Sequence, residues 1–470
     1  MHVYQKIFFY LFILIYLILC PILLLYSFGF LSKSNLEPKG ELYLSSTPKG
    51  ASVYIGNRRY SEKTPVLIKD VLPGTYDIRL AVKGYHLWDY RVHTVAGRTI
   101  RFDKVLFMPK AWKKEELVAE SFTDLIPLPG TDFFILTKSA NTEDHYIYNW
   151  KKQKLTSLVQ ETPEYKGLVV LSYDIVPNSP TFILRALSGQ GEKVLLIRPQ
   201  EYLIGIKDIT GLFTEEPFRV GWNPEHEDYI FSLQNGHLNQ IDVNKGGILP
   251  NFFEDVRGFG FLEGGICIIN KRNILLWADY SGNRVLTLLD DPVLTDFIFP
   301  EKGFVEVKPL GSDLMLFLGE EGYLTANVEP YRFAQEILGI TPNREAMRVL
   351  FWQKNKLGLL DFRSKAQMRI DFERIPRMVL LYDKGRYLSQ AYWVHEGSYS
   401  LFRDDNDIFL FELIRGSNKS LNRVIQIMRN SSVYYSEDSG ILYYLDRITA
   451  HLFGIEIIPK RDRASNNIKD

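Results

Sequence analysis

The opening of the chain contains a long stretch without charge. No charged residue lies between Ile7 and Phe30, and Leu, Ile, Phe and Tyr dominate the stretch. A helix of about 24 residues is about 36 Å long, which is enough to cross a hydrocarbon core of about 30 Å with some tilt. The sequence therefore predicts a single transmembrane helix at residues 7–31, preceded by a short cytoplasmic tail at residues 1–6.

This stretch is interpreted as an uncleaved signal anchor. A removable signal peptide has an apolar core of about 7–15 residues followed by small residues. The stretch here is longer, and Ser27, Gly29 and Ser32 form a poor cleavage site. Lys6 precedes the stretch and Lys33 follows it, so the flanking charges give only a weak positive-inside signal. The orientation of the helix in the membrane must therefore be inferred from the kind of domain that follows it.

The charge balance, aromatic content and cysteine count of the chain limit the folds and functions it can have. The chain carries 56 Lys and Arg residues and 56 Asp and Glu residues, so it has no basic excess that favours nucleic acid. Aromatic residues make up 14% of the chain, which favours β-structure. The two cysteines, Cys20 and Cys267, fall in the apolar stretch and far downstream, and no disulfide is expected between them.

Residues 40–109 show the alternation of a half-buried sheet. Leu42 and Leu44 point one way in the first segment, and Val53 and Ile55 do so in the next. The segment Pro48–Gly50 supplies the turn between the two predicted strands. Two such segments in succession predict a hairpin-like start to a small β-domain.

The second half of this region repeats the pattern. Tyr76, Ile78, Leu80 and Val82 share one face of a predicted strand, and a turn at Pro73 and Gly74 precedes it. A final strand is predicted near residues 100–107. Because each strand has one apolar face, the region predicts a small antiparallel β-sandwich in which the apolar faces meet.

The same residues resemble a known family. Pro48, Lys49, Gly50 and Ala51 resemble the Pro-Glu-Gly-Ala motif of PEGA domains, and "VYIGN", Thr64-Pro65, "LPGTY" and "KGY" follow in the family's order. Lys at position 49 departs from the motif at an exposed turn. The resemblance implies a small extracytoplasmic β-sandwich of envelope proteins without catalytic residues. It also implies that the C-terminal ectodomain lies outside the cytoplasm.

Two aromatic residues follow a glycine turn in this region. Tyr85 and Trp88 are the weak candidates for contact with a ligand, as a pair that stacks on carbohydrate. The alternative is that both side chains close one end of the hydrophobic core, as aromatic residues after a turn commonly do.

Beyond a charged connector at residues 110–116, strand–turn–strand units recur over residues 117–459. Each unit pairs two apolar segments across Asn, Gly, Asp or Ser, and the units repeat every ~35–50 residues. A single unit exposes an apolar face, so the units must stack, and a radial array leaves only short sheet edges. The region is predicted to be a β-propeller. The polar tail, residues 460–470, is predicted to be disordered.

One unit carries a recognisable blade pattern. In "GWNPEHEDYIF", Trp222, Asn223 and Pro224 precede a predicted strand, which resembles the blades of TolB-like and WD40-like propellers. Eight blades are favoured, with seven as the alternative. Another all-β solenoid or two sandwiches stay open. A short helical insertion is predicted at Glu329–Gly339, where Phe333 and Ile337 have helical spacing.

No segment shows a catalytic, cofactor-binding or metal-binding signature. The eight histidines lack the spacing of a helical zinc site, and no phosphate-binding loop or nucleophile elbow is present. The acidic segment Glu225–Asp228 beside His226 is interpreted as a hairpin tip rather than a metal site. The segment Asp404–Asp407 lacks the Gly and the distant Glu of a calcium loop and is interpreted as a turn.

These observations predict an all-β ectodomain on a membrane anchor that acts in binding or as a scaffold and not as an enzyme. The expected partners are the membrane, crossed once, and a protein, peptidoglycan or polysaccharide of the envelope. One alternative is a glycan hydrolase with carboxylates in the propeller channel. Another is a signalling ectodomain, which requires a membrane partner because only residues 1–6 precede the predicted helix.

Overall fold

The computed structural model describes residues 2–27, 39–175, 179–200, 203–213, 218–299, 303–311, 314–328, 331–363, 378–413 and 421–459. The chain divides into two compact units, with the boundary between Lys110 and Ala111. The predicted tail at residues 460–470 lies outside the described residues, as do residues 28–31 at the end of the predicted transmembrane helix.

The first unit begins with an α-helix, α1, at His2–Ser27, which contains Pro21. Between Ile7 and Leu23 its described large apolar side chains are 39–70% exposed. Within the described residues, no helix combines the length and the apolar character that a membrane crossing requires. The assignment of residues 7–31 to a membrane span stays a prediction.

Seven strands follow α1 and form two sheets. The strands are β1 (Gly40–Thr47), β2 (Ser52–Ile55), β3 (Arg58–Lys63), β4 (Val66–Val71), β5 (Gly74–Ala81), β6 (Trp88–Thr94) and β7 (Thr99–Leu106). One sheet has the order β4-β1-β7 and the other β3-β2-β5-β6. The prediction of a fully antiparallel sandwich is wrong, because β1 and β7 pair in parallel. The chain crosses to the other sheet between them and returns beside β1 in the same direction.

The predicted apolar faces of this sandwich are confirmed. Burial alternates along β1 and β2, and the inward side chains come from both sheets. The fully buried residues include Leu42, Leu44, Val53, Ile78 and Leu80. The turn between β1 and β2 is also confirmed, because Gly50 adopts a φ of 86°, which glycine reaches without a steric penalty.

The second unit consists, in its described residues, of eight four-stranded antiparallel meanders. The first four comprise β9 (Asp124–Pro127), β10 (Phe133–Thr137), β11 (His145–Asn149) and β12 (Lys154–Ser157); β13 (Val169–Ile175), β14 (Phe182–Ser188), β15 (Gly191–Pro199) and β16 (Ile204–Asp208); β17 (Phe218–Trp222), β18 (Tyr229–Gln234), β19 (His237–Asp242) and β20 (Gly247–Phe253); and β21 (Val256–Leu262), β22 (Gly265–Asn270), β23 (Leu275–Asp279) and β24 (Val285–Leu289).

The last four meanders follow a short helix, α2 (Pro292–Ile298). They comprise β25 (Val305–Pro309), β26 (Met315–Gly319), β27 (Leu324–Ala326) and β28 (Arg332–Ala334); β29 (Gly339–Asn343), β30 (Arg348–Trp352), β31 (Leu357–Asp361) and β32 (Met378–Tyr382); β33 (Leu388–Val394), β34 (Tyr399–Asp404), β35 (Asp407–Glu412) and β36 (Leu421–Gln426); and β37 (Tyr434–Ser436), β38 (Ile441–Leu445) and β39 (Leu452–Glu456) with β8 (Lys114–Val118).

The strand β8 completes the last meander from the other end of the unit. It pairs antiparallel with β39, and Leu452 lies opposite Val118. The predicted connector at residues 110–116 therefore includes the start of a strand from Lys114 onwards. Its charged residues do not prevent pairing, because β8 is an outer strand whose first three side chains are exposed.

Successive meanders pack against each other through apolar side chains. The shared cores join, in chain order, Ile135 to Leu184, Leu196 to Ile230, Phe231 to Ile266, Cys267 to Phe317, Leu316 to Phe351 and Leu350 to Phe402. The first and last meanders also share a core, in which the rings of Phe134 and Tyr443 lie 5.3 Å apart. Between the seventh and eighth meanders, the rings of Tyr392 and Tyr435 lie 6.4 Å apart. The meanders therefore form a closed circle.

A closed circle of four-stranded antiparallel sheets is typical of a β-propeller, in which radial repetition leaves only short edges. The prediction of an all-β region is confirmed. A solenoid leaves its first and last units apart, and two sandwiches do not share cores around a circle. The contact between the first and last meanders therefore disfavours both alternatives.

Two local predictions differ from the structure. In the described part of the predicted insertion at Glu329–Gly339, Arg332–Ala334 is the strand β28 and no helix forms. Pairing of this segment with β27 overrides its helical spacing. The helix α2 was not predicted, although Asp291 caps it by accepting hydrogen bonds from the backbone of Val293 and Leu294, and Pro292 occupies its first turn.

Candidate functional site

The first strand of each meander lies at the centre of the circle. Among the described strands, the only ladder between neighbouring meanders joins the first strands β21 and β25, which pair in parallel. Gly258 lies opposite Val305 and Phe259 opposite Glu306. In a radial array only the innermost strands of neighbouring sheets come close enough to pair. A functional site at the centre of the circle would therefore be formed by side chains of these first strands.

Two glycines make the close approach of β21 and β25 possible. A Cβ atom on Gly258 would lie 2.2 Å from the carbonyl oxygen of Val305, and one on Gly260 would lie 2.0 Å from that of Val307. Both oxygens belong to the backbone and cannot move independently of the strand. The two meanders are thus continuous across the centre, as one eight-stranded sheet.

Aromatic rings occupy the centre beside these strands. The rings of Phe259 and Phe261 are 5.9 Å apart, and a Cβ atom on Gly221 of β17 would lie 2.3 Å from Phe259. Phe304 lies 5.9 Å from Phe259 and carries the guanidinium of Arg219 over its face at 4.4 Å. This part of the centre is apolar and packed, which suits a rigid scaffold better than a solvated catalytic cleft.

Three carboxylates lie on the described first strands, and each has a local environment of its own. Glu306 of β25 pairs with Lys308 at 2.8 Å. Asp174 of β13 has a raised pKa because burial disfavours its charge, and Arg185 offsets part of that effect. Asp124 of β9 accepts backbone hydrogen bonds. Within the described residues, no group of three or more His, Cys, Asp or Glu side chains is arranged to hold a metal ion.

Asp124 lies where the last meander meets the first. Its Oδ1 accepts hydrogen bonds from the backbone N–H of Ser432 at 2.8 Å and of Leu125 at 2.7 Å. Ser432 belongs to the segment that leads into β37. The carboxylate therefore connects the start of the second unit to its end.

A buried arginine holds the same segment from the seventh meander. Nη1 of Arg403, in β34, donates to the carbonyl oxygen of Ser431 at 2.5 Å, and its Nε donates to that of Asp405 at 2.7 Å. Burial raises the pKa of Asp124 and lowers the pKa of Arg403, while the attraction between the two charges opposes both shifts. The attraction between the two opposite charges thus offsets part of the cost of removing each of them from water.

Two further side chains complete this junction. Oε1 of Gln390 accepts from the backbone N–H of Val433 at 3.0 Å, and the hydroxyl of Tyr392 donates to the carbonyl oxygen of Val433 at 2.7 Å. Burial raises the pKa of Tyr392, so its hydroxyl keeps its proton. We call Asp124, Gln390, Tyr392, Arg403 and the segment 431–433 the closing junction. None of these side chains is an activated nucleophile. Their hydrogen bonds hold the segment 431–433 to the first and seventh meanders, which is a structural role.

The acidic segment Asp404–Asp407 forms a hairpin, which confirms its interpretation as a turn. Oδ1 of Asp404 accepts from the backbone N–H groups of Arg386 and Tyr387 at 2.7 and 2.9 Å. Asp407 pairs with Arg386 and with Arg423, each at 2.7 Å. The carboxylates of Asp404 and Asp407 are therefore already paired with arginines or backbone N–H groups of this chain.

The segment Glu225–Asp228 is the loop between β17 and β18. Its acidic side chains point to different partners: Asp228 pairs with Arg198 at 2.8 Å, and Glu225 accepts from the backbone N–H of Gly264 at 2.7 Å. Trp222, just before the loop, is 5% exposed and belongs to the core between the second and third meanders. The blade-like motif is thus a packing element.

The two ligand candidates of the first unit lie in or against its core. Trp88 is 7% exposed, and its ring lies 5.5 Å from Phe102 and 5.9 Å from Tyr90. Tyr85 is half-buried and makes an edge contact with Phe107 at 6.1 Å. The geometry gives Trp88 a packing role. Carbohydrate contact by Tyr85 stays a prediction.

Sequence reasoning missed the closing junction. Asp124 and Arg403 come from strands 279 positions apart by their numbering (403 − 124), and neither belongs to a motif. A signal did exist: each is a charged residue next to apolar residues of a strand, in "TDLIPL" and "YSLFRD". A charge within a buried strand implies a partner, but it does not say where in the chain the partner lies.

Comparison with known proteins places the first unit in a family. Residues 39–108 match the PEGA domain family, which confirms the resemblance drawn from Pro48–Ala51 and the segments that follow it in the family's order. The chain therefore combines a PEGA domain with a unit that resembles a β-propeller. No curated protein matches the chain.

Two solved structures show low similarity to the chain. The β-propeller domain of Cps50 (Swd1) from Myceliophteria thermophila is 11% identical, with a TM-score of 0.33, and the match covers 72% of this chain and 96% of that chain. PorZ, a surface component of the type-IX secretion system of Porphyromonas gingivalis, is 10% identical, with a TM-score of 0.35, and the match covers 70% of this chain and 42% of that chain.

Proposed function

We propose that this chain is an extracytoplasmic binding or scaffold protein, attached to the membrane by its N-terminal segment, whose second unit holds a protein or glycan of the cell envelope. The closing junction is the observation that carries the proposal. In this junction the partly buried Asp124 and the buried Arg403 hold the ends of the circle through hydrogen bonds. The loops at the two ends of the meanders are then the places for recognition.

The proposal treats each meander as one blade of an eight-bladed β-propeller. It is supported by the contribution of β8 to the last meander, because a strand from the start of the unit ties the circle shut. In a closed ring every blade packs on two neighbours, and this packing stabilises each blade against local unfolding. Such rigidity suits a platform for partners.

Membrane attachment is supported by the character of the N-terminal helix. Its described side chains between Ile7 and Leu23 are apolar on every side and largely exposed. A helix of this kind requires an apolar environment, either within a protein core or within lipid. The PEGA domain that follows supports an orientation with the C-terminal part outside the cytoplasm.

The alternative of a glycan hydrolase receives less support. A hydrolase of this kind uses two carboxyl groups separated by about 5–10 Å across its cleft. Of the three acids on the described first strands, Glu306 is paired with Lys308 and Asp124 belongs to the closing junction. Asp174, whose burial Arg185 offsets only in part, is the residue that tests this alternative.

Orientation can be tested with single cysteines in a Cys20→Ser background. Ile448→Cys, at a loop position that is 90% exposed, should react with a membrane-impermeant maleimide on intact cells. His2→Cys should react only after lysis, and Cys267, which is buried, should stay unlabelled. The chain should also remain in the membrane pellet after carbonate extraction. Labelling of Ile448→Cys only in lysed cells would contradict the proposed location.

Binding and hydrolysis can be separated in one assay. The full chain is mixed with purified peptidoglycan or envelope polysaccharide, sedimented, and the supernatant is assayed for reducing ends. We expect sedimentation with a glycan and no release, equally for Asp174→Asn and Glu306→Gln. Release that only Asp174→Asn abolishes would favour the hydrolase. If no glycan sediments the chain, a photo-crosslinker at Ile448 should yield a protein adduct, and the absence of both refutes the binding proposal.

A further inference from the structure

One outer face of the PEGA domain carries a tyrosine between two arginines. On the sheet β3-β2-β5-β6, Tyr54 of β2 lies opposite Arg59 of β3 on one side and opposite Arg79 of β5 on the other. The guanidinium of Arg59 lies over the tyrosine ring at 5.9 Å from its centroid, and that of Arg79 lies at 6.0 Å. This face points away from the core, because the neighbours of Tyr54 in β2, Val53 and Ile55, are buried. Both arginines are exposed.

No acid of the domain forms an ion pair with these two arginines. Within residues 39–110, all of which the structure describes, Arg59 has no ion-pair partner. Asp89 of β6 lies opposite Arg79 in the ladder, but no ion pair joins the two side chains. The guanidinium of Arg79 instead extends towards the turn after β2, where its Nη2 donates to the carbonyl oxygen of Gly56 at 2.9 Å. The sheet surface therefore presents two positive charges that the domain itself does not pair.

A third cation lies on the same face. Lys63 of β3 is exposed and pairs with Ser52, which is two positions before Tyr54 in β2. Side chains two positions apart on a strand share a face and are separated by roughly 6–7 Å. Lys63 therefore lies one row away from Arg59 along the edge of the sheet. We call Tyr54, Arg59, Lys63 and Arg79 the cationic patch.

The ring of Tyr54 prepares the two guanidiniums for binding. Cation–π attraction holds each guanidinium near the ring, and its N–H donors can still form two parallel hydrogen bonds to a carboxylate or a phosphate. Holding a long side chain in place beforehand reduces the entropy that is lost on binding. Both guanidiniums lie within 6.0 Å of one ring centroid, so they are close enough to bind neighbouring acidic groups of one polymer.

The acids of this face favour a chain-like partner over a flat anionic surface. Asp89 is exposed on β6, the edge of the sheet opposite to β3. Asp77 of β5 is also exposed, and Arg91 of β6 binds it through two hydrogen bonds of 2.7 and 3.2 Å. A flat anionic surface that covered the whole sheet would meet the unpaired charge of Asp89, and like charges in contact oppose binding. A linear polymer that follows β3 contacts the cationic patch and avoids Asp89.

We propose that the cationic patch of the PEGA domain binds a linear acidic polysaccharide, whose phosphate or carboxylate groups pair with Arg59 and Arg79 on either side of Tyr54. The site is additional to the proposed binding by the second unit, and it takes from the proposed function only the extracytoplasmic location. A peptide strand that pairs with the edge of β3 fits less well. The register of β3 shifts between its pairs with Ser52 and Tyr54, and such a bulge interrupts the backbone row that an added strand requires.

Calorimetric titration with defined polymers tests the proposal. The full chain, purified in detergent, is titrated with polygalacturonate, with poly(glycerol phosphate) and with neutral dextran. We expect it to bind at least one acidic polymer and no dextran, with an affinity that falls as the salt concentration rises. The response to the two acidic polymers shows whether carboxylate or phosphate is the preferred group. Binding of neither acidic polymer, or equal binding of dextran, overturns the proposal.

Charge-removing variants locate the site. The double variant Arg59→Gln/Arg79→Gln should bind the acidic polymer at least about tenfold more weakly, since two ion pairs are lost. Arg58→Gln is the matched control, because Arg58 is an exposed arginine of the same strand that lies opposite the buried Ile55 and so belongs to the other face. It should bind within about twofold of the unaltered chain. Equal affinities of the double variant and the unaltered chain would place binding elsewhere and overturn the proposal.

Tyr54 provides a test that leaves the charge unchanged. Tyr54→Phe keeps the ring and should keep the affinity, whereas Tyr54→Leu should weaken binding about threefold because the guanidiniums lose their support. Circular dichroism is the folding control. Phosphatidylglycerol added to the micelles should not displace the polysaccharide, and polyglutamate of equal charge should bind more weakly. Equal affinities of the two Tyr54 variants, displacement by the lipid, or tighter binding of polyglutamate overturns the proposal.

Discussion

The carboxylate of Asp124 accepts a hydrogen bond from the backbone N–H of Ser432 across 308 positions of sequence, at 2.8 Å. The bond joins β9, the first strand of the first meander, to the segment that leads into the last meander. It lies beside the apolar core shared by Phe134 and Tyr443. Closure of the circle therefore combines non-directional apolar packing with directional hydrogen bonds, both at Asp124 and along the β8–β39 ladder.

Asp124→Ala should destabilise the second unit by roughly 1–3 kcal/mol, because the N–H groups of Ser432 and Leu125 lose their acceptor. Asp124→Asn should cost less, since the amide oxygen can still accept one of these bonds. Urea denaturation of the purified full chain, followed by tryptophan fluorescence, measures the difference. The control is Asp438→Ala at an exposed position. Equal stabilities of the Asp124→Ala and Asp438→Ala variants would show that the contact contributes little.

Gly260→Ala should be strongly destabilising. The added methyl group would lie 2.0 Å from the backbone oxygen of Val307, so β21 and β25 would have to separate. We expect a loss of more than about 2 kcal/mol, as for other substitutions that overpack a buried site. Gly247→Ala is the matched control, because a Cβ there meets nothing within 4 Å. Thermal melts of both variants decide the point, and similar melting temperatures would refute the close approach.

His145 should make the stability of the second unit fall in mild acid. The residue is 2% exposed, and its Nδ1 donates to the carbonyl oxygen of Asn141 at 2.7 Å. Burial lowers its pKa below the ordinary value of 6.5. The unfolded chain therefore binds the proton first as the pH falls through 6.5, and stability is lost from there towards the lower folded pKa.

The check is His145→Gln, which keeps a donor for the carbonyl oxygen of Asn141 and does not titrate. The stability advantage of the unaltered chain over this variant should shrink between about pH 8 and pH 5, as proton linkage requires. Denaturation curves at intervals across that range provide the measurement. Parallel stability profiles for the two proteins would mean that His145 does not titrate differently in the folded state.

Thr64→Val should loosen the PEGA domain. The Thr64 hydroxyl accepts from the backbone N–H of Ala51 at 2.9 Å and shares a hydrogen bond with the hydroxyl of Ser46 at 2.6 Å. The valine variant keeps the shape and removes both bonds, at a cost of about 1–3 kcal/mol. Hydrogen exchange at Ala51 should accelerate, whereas Thr64→Ser should keep its protection. Unchanged exchange in Thr64→Val contradicts this role.

Local sequence signals predicted much of the strand structure. Asn235 and Gly236, which separate β18 from β19, adopt φ values of 50° and 86°, as the two central residues of a tight hairpin turn require. The alternation at Leu42 and Leu44 correctly identified a buried face. These features depend on residues a few positions apart, so a single sequence displays them.

Signals that required a distant partner were missed or misassigned. Lys114 reads as part of a polar connector, yet it lies opposite Ile455 in the sheet of the last meander. Trp88 was a weak candidate for ligand contact, with core closure the commoner role, and its burial against Phe102 assigns it to the core. The helical spacing at Phe333 gave way to strand pairing with β27.

By itself, the sequence determined the uncharged N-terminal stretch, the period-two alternation of the strands, the positions of the turns and the PEGA motif at Pro48–Ala51. Only the tertiary structure decided that β1 pairs in parallel with β7, that β21 joins β25, and that β8 and Asp124 close the circle. The physical reason is that apolar burial favours any partner that excludes water. The choice among partners depends on backbone geometry and buried charges that meet only after the chain has folded.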